Sequence, residues 1–377
     1  MKQKRKILLL AFLISLLSSL ILSVAAVIVV DPFFHYHAPL TKAFKYELDN
    51  ERYQNNGIIR NFEYDALITG TSMSENFKTS EFDNLFGTKS VKVPFAGGTY
   101  KEIDENINLA IKSNKNLKYV VRSIDTLMYL DDSERMRDDL GEYPTYLYDE
   151  KIFNDVRYFV DGYNATIKAL LSIFRGKKAE QFSFDKYANW HAKYKYGKDS
   201  VLTEPVENIY RVQRDINEEE RNRMKNNIDK NIVSTPKENP NIKFFYFITP
   251  YSSLYWRSRI LGNNFNVSFE SEKYIIEELS KLENVTLVSL NDCFDITSNL
   301  NFYRDELHYG EWINSFILKC FKENKHVVNN ENKDTYYLNM NKYLDHYNFS
   351  IMNDIVDFDN DEDASKLIEQ LIEEGKI

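Results

Sequence analysis

Residues 65–74 read DALITGTSMS and decide the fold prediction. The apolar run 65–69 ends in Gly70-Thr71-Ser72, and a run closed by turn residues is typical of a buried parallel strand. A serine at such a strand end lies at the sheet edge, where its hydroxyl and its backbone N–H face the same point. The pattern from Glu75 onward predicts a helix, so Thr71 or Ser72 can equally be a helix N-cap.

Four further runs of the same kind follow this stretch along the chain. They are residues 90–93, 118–122, 243–248 and 285–290. Apolar residues recur at helical spacing in 100–113 and 269–282, between these runs. Alternating strands and helices predict an α/β fold, a doubly wound and mainly parallel sheet whose sites form beyond the carboxyl ends of the strands.

Residues 126–240 interrupt this rhythm and are predicted to be a helical, aromatic insertion into the α/β domain. One aromatic cluster in it comprises Tyr187, Trp190, His191, Tyr194 and Tyr196. Exposed rings of this kind can stack on sugars, or they can pack the insertion against the main domain. The sequence favours packing and leaves both interpretations open.

The N-terminus has the pattern of a membrane anchor. Residues 1–6 carry four basic side chains, and no charge follows from Ile7 to Val30. Twenty-four helical residues span about 36 Å, enough for a hydrocarbon core of about 30 Å. The basic flank is expected to stay in the cytoplasm, which places the rest of the chain outside a single-pass span.

A cleaved signal peptide is the competing interpretation of this segment. Ser23-Val24-Ala25 has the small-x-small form of a cleavage site, but the apolar run exceeds the usual length and continues to Val30. We therefore expect an uncleaved anchor. In either case the body is extracytoplasmic, where no soluble cofactor is freely supplied, so we expect no cofactor.

The remaining segments give little chemistry of their own. Residues 31–60 form a juxtamembrane segment whose His35 and His37 lack further metal ligands, so packing is expected and no metal site is predicted. The predicted catalytic domain is 61–325, and 326–377 is an acidic extension. Alternating aspartates at 357–363 lack the glycine and glutamate of a calcium loop, which favours a solvated stretch before a short helix.

The composition indicates a globular protein and argues against several other classes. The chain has 377 residues, a net charge of -9 and 14% aromatic residues, so a sizeable core is expected and nucleic-acid binding is not. Cys293 and Cys320 are too few for a disulfide scaffold or a cysteine zinc site. Two buried thiols are expected, although a bridge between them stays open.

A second chemical signal lies near the end of the predicted domain. Asp305 precedes His308 by three residues, within one turn of chain. A carboxylate there can hold one imidazole nitrogen protonated and free the other to take a proton from serine. A local hydrogen-bonded turn is the alternative for this pattern on its own.

Together, the early serine block and the late D-x-x-H block resemble the SGNH (GDSL-like) hydrolase superfamily over residues 60–325. The likeness extends to membrane-anchored members of surface-polymer modification systems, including alginate O-acetylation and teichoic-acid D-alanylation proteins. The resemblance implies Ser72 as nucleophile, His308 as base and Asp305 as its partner. It also implies oxyanion donors at the Ser72 amide and at Gly98, with Gly97 an equally possible register.

One position departs from that family. Its third block supplies an asparagine donor, where this chain has Asp125, and an ionised carboxylate cannot donate to an oxyanion.

From the anchor and the three triad positions, we expect an esterase or acyltransferase acting on O-acyl groups of a cell-surface glycan, partnered by an acylated polymer or a membrane acyl-donor protein. The alternative is a non-catalytic scaffold or glycan-binding component of a polymer-assembly complex. The substrate-binding residues, the acyl group and the glycan stay unknown.

Overall fold

A computed structural model describes residues 2–48, 50–140, 144–149, 156–174 and 182–377. Its sheet has five parallel strands in the order β2-β1-β3-β4-β5. The strands are β1 Ala66–Gly70, β2 Ser90–Pro94, β3 Tyr119–Ile124, β4 Lys243–Ile248 and β5 Val285–Ser289. All five lie where the apolar runs predict them.

The described α-helices connect these strands and extend both ends of the chain. They are α1 Lys2–Val30, α2 Glu51–Asn61, α3 Thr79–Phe86, α4 Tyr100–Ser113, α5 Val156–Phe174, α6 Lys198–Val201, α7 Glu218–Ile228, α8 Ser234–Glu238, α9 Ser253–Leu261, α10 Phe265–Leu279, α11 Phe294–Thr297, α12 Glu311–Glu323, α13 Lys333–Asp345 and α14 Asp361–Glu373.

Both faces of the sheet are covered. Every residue of β1 and β2 is buried, and successive strand residues point to opposite faces, so helices must shield both. Among the covering helices, α2 packs on α4, α10 packs on α7, and α3 packs on α12. The predicted α/β, doubly wound parallel sheet is confirmed. The strand order changes direction at β1, which places the loops after β1 and β3 at the switch point where such folds bind ligands.

One predicted helix differs from the structure. The helix expected from Glu75 does not form: a single 3₁₀ turn, Ser72–Ser74, follows β1, and α3 begins only at Thr79. At the end of the predicted insertion, α7, a π turn and α8 follow one another without a break, and the π turn and α8 pack on α4. Parts of the predicted insertion, 141–143, 150–155 and 175–181, lie outside the described residues.

The N-terminal helix is long and apolar enough to cross a membrane. Its C-terminal end joins the folded body, because Val27 and Val30 are buried there. The chain then turns at Asp31, whose carboxylate accepts the backbone N–H groups of His35, Tyr36 and His37. The His35 ring stacks on the Tyr158 ring, and the two His37 ring nitrogens lie 2.7 and 2.8 Å from the carbonyls of Ala38 and Ile28.

The acidic extension is folded onto the body, while Asp359 and Asp361 of the alternating stretch are exposed around the start of α14, as expected. The Asp357 carboxylate accepts the backbone N–H groups of Lys198 and Asp199, and α14 packs on α12 with Ile368 and Leu371 buried. Both cysteines are buried free thiols rather than a bridge.

Candidate active site

The turn after β1 is fixed by contacts that only glycine permits at Gly70. Its φ is +138°, and a Cβ there would lie 2.1 Å from the Ser123 hydroxyl and 2.4 Å from that of Ser74. The Thr71 hydroxyl accepts the N–H of Met73, so Thr71 is the N-cap of the short turn. The capping role falls to Thr71, which leaves the partly exposed Ser72 hydroxyl for other partners.

The buried carboxylate of Asp125 holds the turn after β1 in place. Asp125, only 4% exposed, accepts the hydroxyl groups of Thr71 and Tyr251 at 2.7 Å each and that of Ser123 at 3.3 Å. Burial raises the pKa of Asp125, against the lowering effect of these hydrogen bonds. In the described part of the chain, the Asp125 carboxylate acts only as a hydrogen-bond acceptor.

The D-x-x-H segment forms a tight turn at the same sheet edge. The Asp305 carboxylate accepts the N–H groups of Leu307 and His308, which locks the turn around the carboxylate. The Ser252 N–H and hydroxyl both donate to the carbonyl of Glu306, at 3.1 and 2.8 Å. The loop after β4 therefore helps to fix the position of His308 relative to the sheet.

The structure brings the three sequence-predicted side chains together. The Ser72 Oγ lies 3.0 Å from the His308 Nε2, across 236 residues of chain. The His308 Nδ1 lies 2.9 and 3.0 Å from the two Asp305 carboxylate oxygens. This is the serine–imidazole–carboxylate arrangement in which one ring nitrogen is oriented and the other faces the hydroxyl.

The electrostatics suit a charged carboxylate beside the imidazole. Partial burial acts to raise the pKa of Asp305, but hydrogen bonds from the His308 ring and from the His308 and Leu307 amides outweigh it and hold the pKa at about 2. Asp305 is therefore ionised at neutral pH. An ionised partner favours the Nδ1–H tautomer and stabilises the imidazolium that forms when serine loses its proton.

Trp190 is a site residue that the sequence did not assign. Its indole N–H donates to the Ser72 carbonyl at 3.2 Å, and its ring meets the His308 ring edge-on, with centroids 5.5 Å apart. The Arg304 guanidinium lies over the Trp190 ring, 4.3 Å from its centroid, and 3.8 Å from that of Tyr194. Trp190 is largely buried, whereas Tyr194 is 52% exposed.

The aromatic cluster of the insertion is therefore divided between two roles. Tyr187 is fully buried and donates its hydroxyl to Asn55, as the packing interpretation expects. Trp190 instead touches both halves of the candidate site. The spacing of aromatic residues carries no signal for this role, because it depends on a contact between residues more than one hundred positions apart.

The predicted oxyanion donors differ in the hydrogen bonds that they already make. The Gly98 N–H donates to the Phe95 carbonyl at 2.8 Å within its own turn, and Asp125 is a buried acceptor. Within the described residues, the amides of Ser72 and Gly97 have no hydrogen-bond acceptor in the protein. Gly97 has a φ of +57°, and its loop adjoins the serine turn because the Phe95 N–H donates to the Gly70 carbonyl. The geometry thus favours the Gly97 register.

A cavity of about 340 Å³ adjoins the site and is lined in part by Trp190, Glu51 and Glu75. Glu75 follows Ser72 by three residues, and one of its carboxylate oxygens, buried, has no hydrogen-bond partner. Burial raises the pKa of both glutamates, and the neighbouring Glu51 charge raises that of Glu75 further. Sequence patterns did not single out this pair.

Comparisons with known proteins give only a distant likeness. No protein-family model matches the chain, and no curated protein matches it. The chain is similar to the structure of a Streptococcus pneumonia protein that is provisionally described as a platelet activating factor. The sequences are 13% identical, the match covers 74% of this chain and 91% of the other, and the TM-score is 0.35. A likeness at this level carries no argument about function.

Proposed function

We propose that the chain is a membrane-anchored serine esterase or O-acyltransferase that acts on O-acyl groups of a cell-surface glycan. The observation that carries the proposal is the 3.0 Å contact between the Ser72 hydroxyl and the His308 Nε2, with the other ring nitrogen on Asp305. A nucleophile, a base and an orienting carboxylate in hydrogen-bond reach are the parts that acyl transfer through serine requires.

The acylation step uses these groups in sequence. Ser72 Oγ attacks the ester carbonyl carbon while His308 Nε2 takes the hydroxyl proton, and Asp305 stabilises the resulting imidazolium. The amides of Ser72 and Gly97 are the donors proposed for the tetrahedral oxyanion. Collapse of this intermediate breaks the bond to the leaving alcohol, which receives the proton from His308. The acyl group then remains on Ser72 as an ester.

The second half-reaction decides between the two activities. Water, deprotonated by His308, attacks the acyl-serine to release a carboxylic acid, or a sugar hydroxyl attacks it to form a new ester. Both routes return the proton to Ser72 and use the same three side chains. In the transfer reaction the acyl donor is an ester or thioester delivered by a membrane partner.

The proposed location and the proposed glycan substrate both rest on the predicted membrane anchor. The basic residues within 1–6 are expected to face the cytoplasm, which leaves the body on the outer surface next to the cell envelope. Tyr194, half exposed beside the site, is the ring proposed to contact a sugar face. The cavity beside Trp190 is proposed to receive the part of the substrate that flanks the scissile ester.

The direct test is turnover of a small acetyl ester by the purified full-length chain. Ser72→Ala should lower kcat/KM by roughly 10⁴-fold or more, because removal of the nucleophile leaves only binding and oxyanion contacts. Ser365→Ala, an exposed serine on α14, is the matched control and should retain wild-type turnover. Equal turnover by Ser72→Ala and wild type would overturn the proposal.

A non-catalytic glycan-binding scaffold is the second candidate. The buried acceptor Asp125, in place of an amide donor, favours it, because the oxyanion then has backbone donors alone. A scaffold should bind surface glycan equally well with and without Ser72→Ala, and wild type should transfer no acyl group. Loss of surface acylation in cells that carry Ser72→Ala at normal protein levels would exclude this candidate.

A further inference from the structure

The helix α5 presents a continuous apolar surface that the body does not cover. The exposed side chains on this stripe are Val156, Val160, Tyr163, Ile167 and Leu171. Their spacing of four, three, four and four residues places them along one side of the helix. Exposed fractions run from 74% at Val156 to 36% at Ile167, which is unusual for a water-facing helix.

The opposite side of α5 packs against the outer end of the apolar helix α1. The buried residues on that side include Tyr158 and Gly162. A Cβ at Gly162 would lie 3.3 Å from side-chain atoms of both Val27 and Pro32, so glycine lets the two helices approach closely. This contact ties α5 to the anchor rather than to the sheet.

The contacts of α5 place it at the last turn of α1. The Tyr158 hydroxyl donates to the carboxylate of Asp31, just beyond the end of α1. One turn later, Gly162 meets both Val27, one turn before Asp31, and Pro32, directly after it. The helix α5 therefore crosses α1 at the end of its apolar run, at the level of the membrane interface.

The charged side chains of α5, together with Asn164, lie on one flank between these two sides. They are Arg157, Asp161, Asn164 and Lys168. Asp161 accepts the Tyr146 hydroxyl, and Lys168 reaches the Glu47 carboxylate of the juxtamembrane segment at 2.8 Å, so two of the charged groups bind the folded body. Long cationic side chains at a membrane interface commonly extend toward the polar side in this way.

We infer that α5 lies in the outer leaflet beside α1 and that its apolar stripe contacts lipid acyl chains. The inference rests on α1 spanning the membrane and is independent of the proposed catalysis. The occupant is lipid because α5 packs on the end of α1, and α1 itself is apolar and exposed over most of its length, including Leu22 and Val29. The body is thus attached by two helices, which fixes the distance of the candidate site from the bilayer.

Site-directed labelling of the full-length chain in lipid nanodiscs tests this inference. Cysteines at Val160, Ile167 and Leu171 carry an environment-sensitive fluorophore, while native Cys293 and Cys320 are buried. Brominated lipids should quench the stripe labels at least twofold more strongly than a label at Val212, which is 94% exposed. Aqueous iodide should show the reverse order.

Controls separate failure of this inference from failure of the anchor. A label at Leu13 in α1 should be quenched by brominated lipid, and a label at Asn164 on the polar flank should be quenched less than the stripe labels. Stripe labels that iodide reaches as readily as Val212, with Leu13 still lipid-quenched, would overturn the inference. Stripe labels shielded from both quenchers would also overturn it, because a second copy would then cover the helix.

Discussion

Two aspartates contact neighbours of Ser72, Asp305 through His308 and Asp125 through Thr71, and their surroundings give them different roles. The Asp305 side chain is 45% exposed and accepts from the His308 ring and two amides, which holds its pKa at about 2. Asp125 is buried beneath Thr71 and accepts neutral hydroxyl groups, and burial raises its pKa. Asp305 is suited to stabilise charge that appears on an imidazole, whereas Asp125 is suited to hold the backbone in place.

The base beside Asp305 should give the largest effect in this comparison. His308→Ala removes the proton acceptor of Ser72, and kcat/KM for an acetyl ester should fall by roughly 10³-fold or more. His346→Ala, an exposed histidine in the extension, is the matched control and should keep wild-type turnover. Retention of turnover by His308→Ala would mean that the contact with Ser72 has no role in proton transfer.

Asp305→Asn should give the next largest effect. The amide keeps the volume but loses the charge that stabilises the imidazolium, so kcat should fall by roughly 10²–10⁴-fold. Because Asp305 is half exposed, the thermal midpoint should change little. Steady-state kinetics and thermal unfolding of the same preparation measure both quantities, and a large loss of stability with intact kcat would reverse the assignment.

Asp125→Asn should show the opposite balance. Its amide nitrogen cannot accept from Thr71 or Tyr251, so the free energy of unfolding should fall by about 1–3 kcal/mol. The kcat should fall less than tenfold, since the triad contacts remain. A gain in kcat would show instead that position 125 reaches the oxyanion, as an asparagine at this place does in the resembling family.

Trp190→Phe tests how far the contact between Trp190 and the Ser72 turn contributes to catalysis. Phenylalanine keeps an aromatic ring against His308 but removes the hydrogen bond to the Ser72 carbonyl. We expect kcat to fall about fivefold with little change in KM, since one hydrogen bond is worth about 1 kcal/mol. A change confined to KM would assign Trp190 to substrate binding rather than to positioning of the serine turn.

A buried carboxylate on α10, outside the candidate site, should affect stability alone. Glu272 on α10 is fully buried, and burial raises its pKa to about 8, despite hydrogen bonds from Tyr336 and Asn291. Between about pH 4.5 and 8 the folded state keeps a proton that the unfolded state releases, so the stability of the wild type falls as pH rises.

Glu272→Gln removes this titration. The thermal midpoint of the variant relative to wild type should therefore rise by a few degrees from pH 5 to pH 8, with kcat unchanged. Parallel unfolding curves at several pH values measure the difference. A constant difference across that range would show that Glu272 is ionised in the folded protein.

The sequence predicted the strands and the helix α4 because each depends on local pattern. The runs that became β1 and β4 carry apolar residues and turn residues at the observed ends. Contacts between distant segments could not be predicted from the sequence. Nothing local shows that the Gly98 amide is used within its own turn or that Trp190 reaches Ser72.

Part of the candidate site could also be predicted from the sequence, because its two halves are local patterns. Ser72 follows a strand and Asp305 precedes His308 by three residues, so each half is a local pattern. The absence of a helix directly after Ser72 was not predicted, because Lys92, fully buried, donates to the carbonyls of Glu75 and Phe77 and holds that segment out of helical form. This is a tertiary contact that overrides a local helical pattern.

Covalent labelling with a fluorophosphonate tests the central claim most directly. Intact mass and peptide mapping of the full-length protein should find one adduct, on Ser72, formed at a rate that falls by roughly 10³-fold in His308→Ala and little in Asp125→Asn. Ser72→Ala should take up no label, while Ser365→Ala should label like the wild type. An unlabelled wild type, or equal labelling of Ser72→Ala, would contradict the assignment of Ser72 as an activated nucleophile.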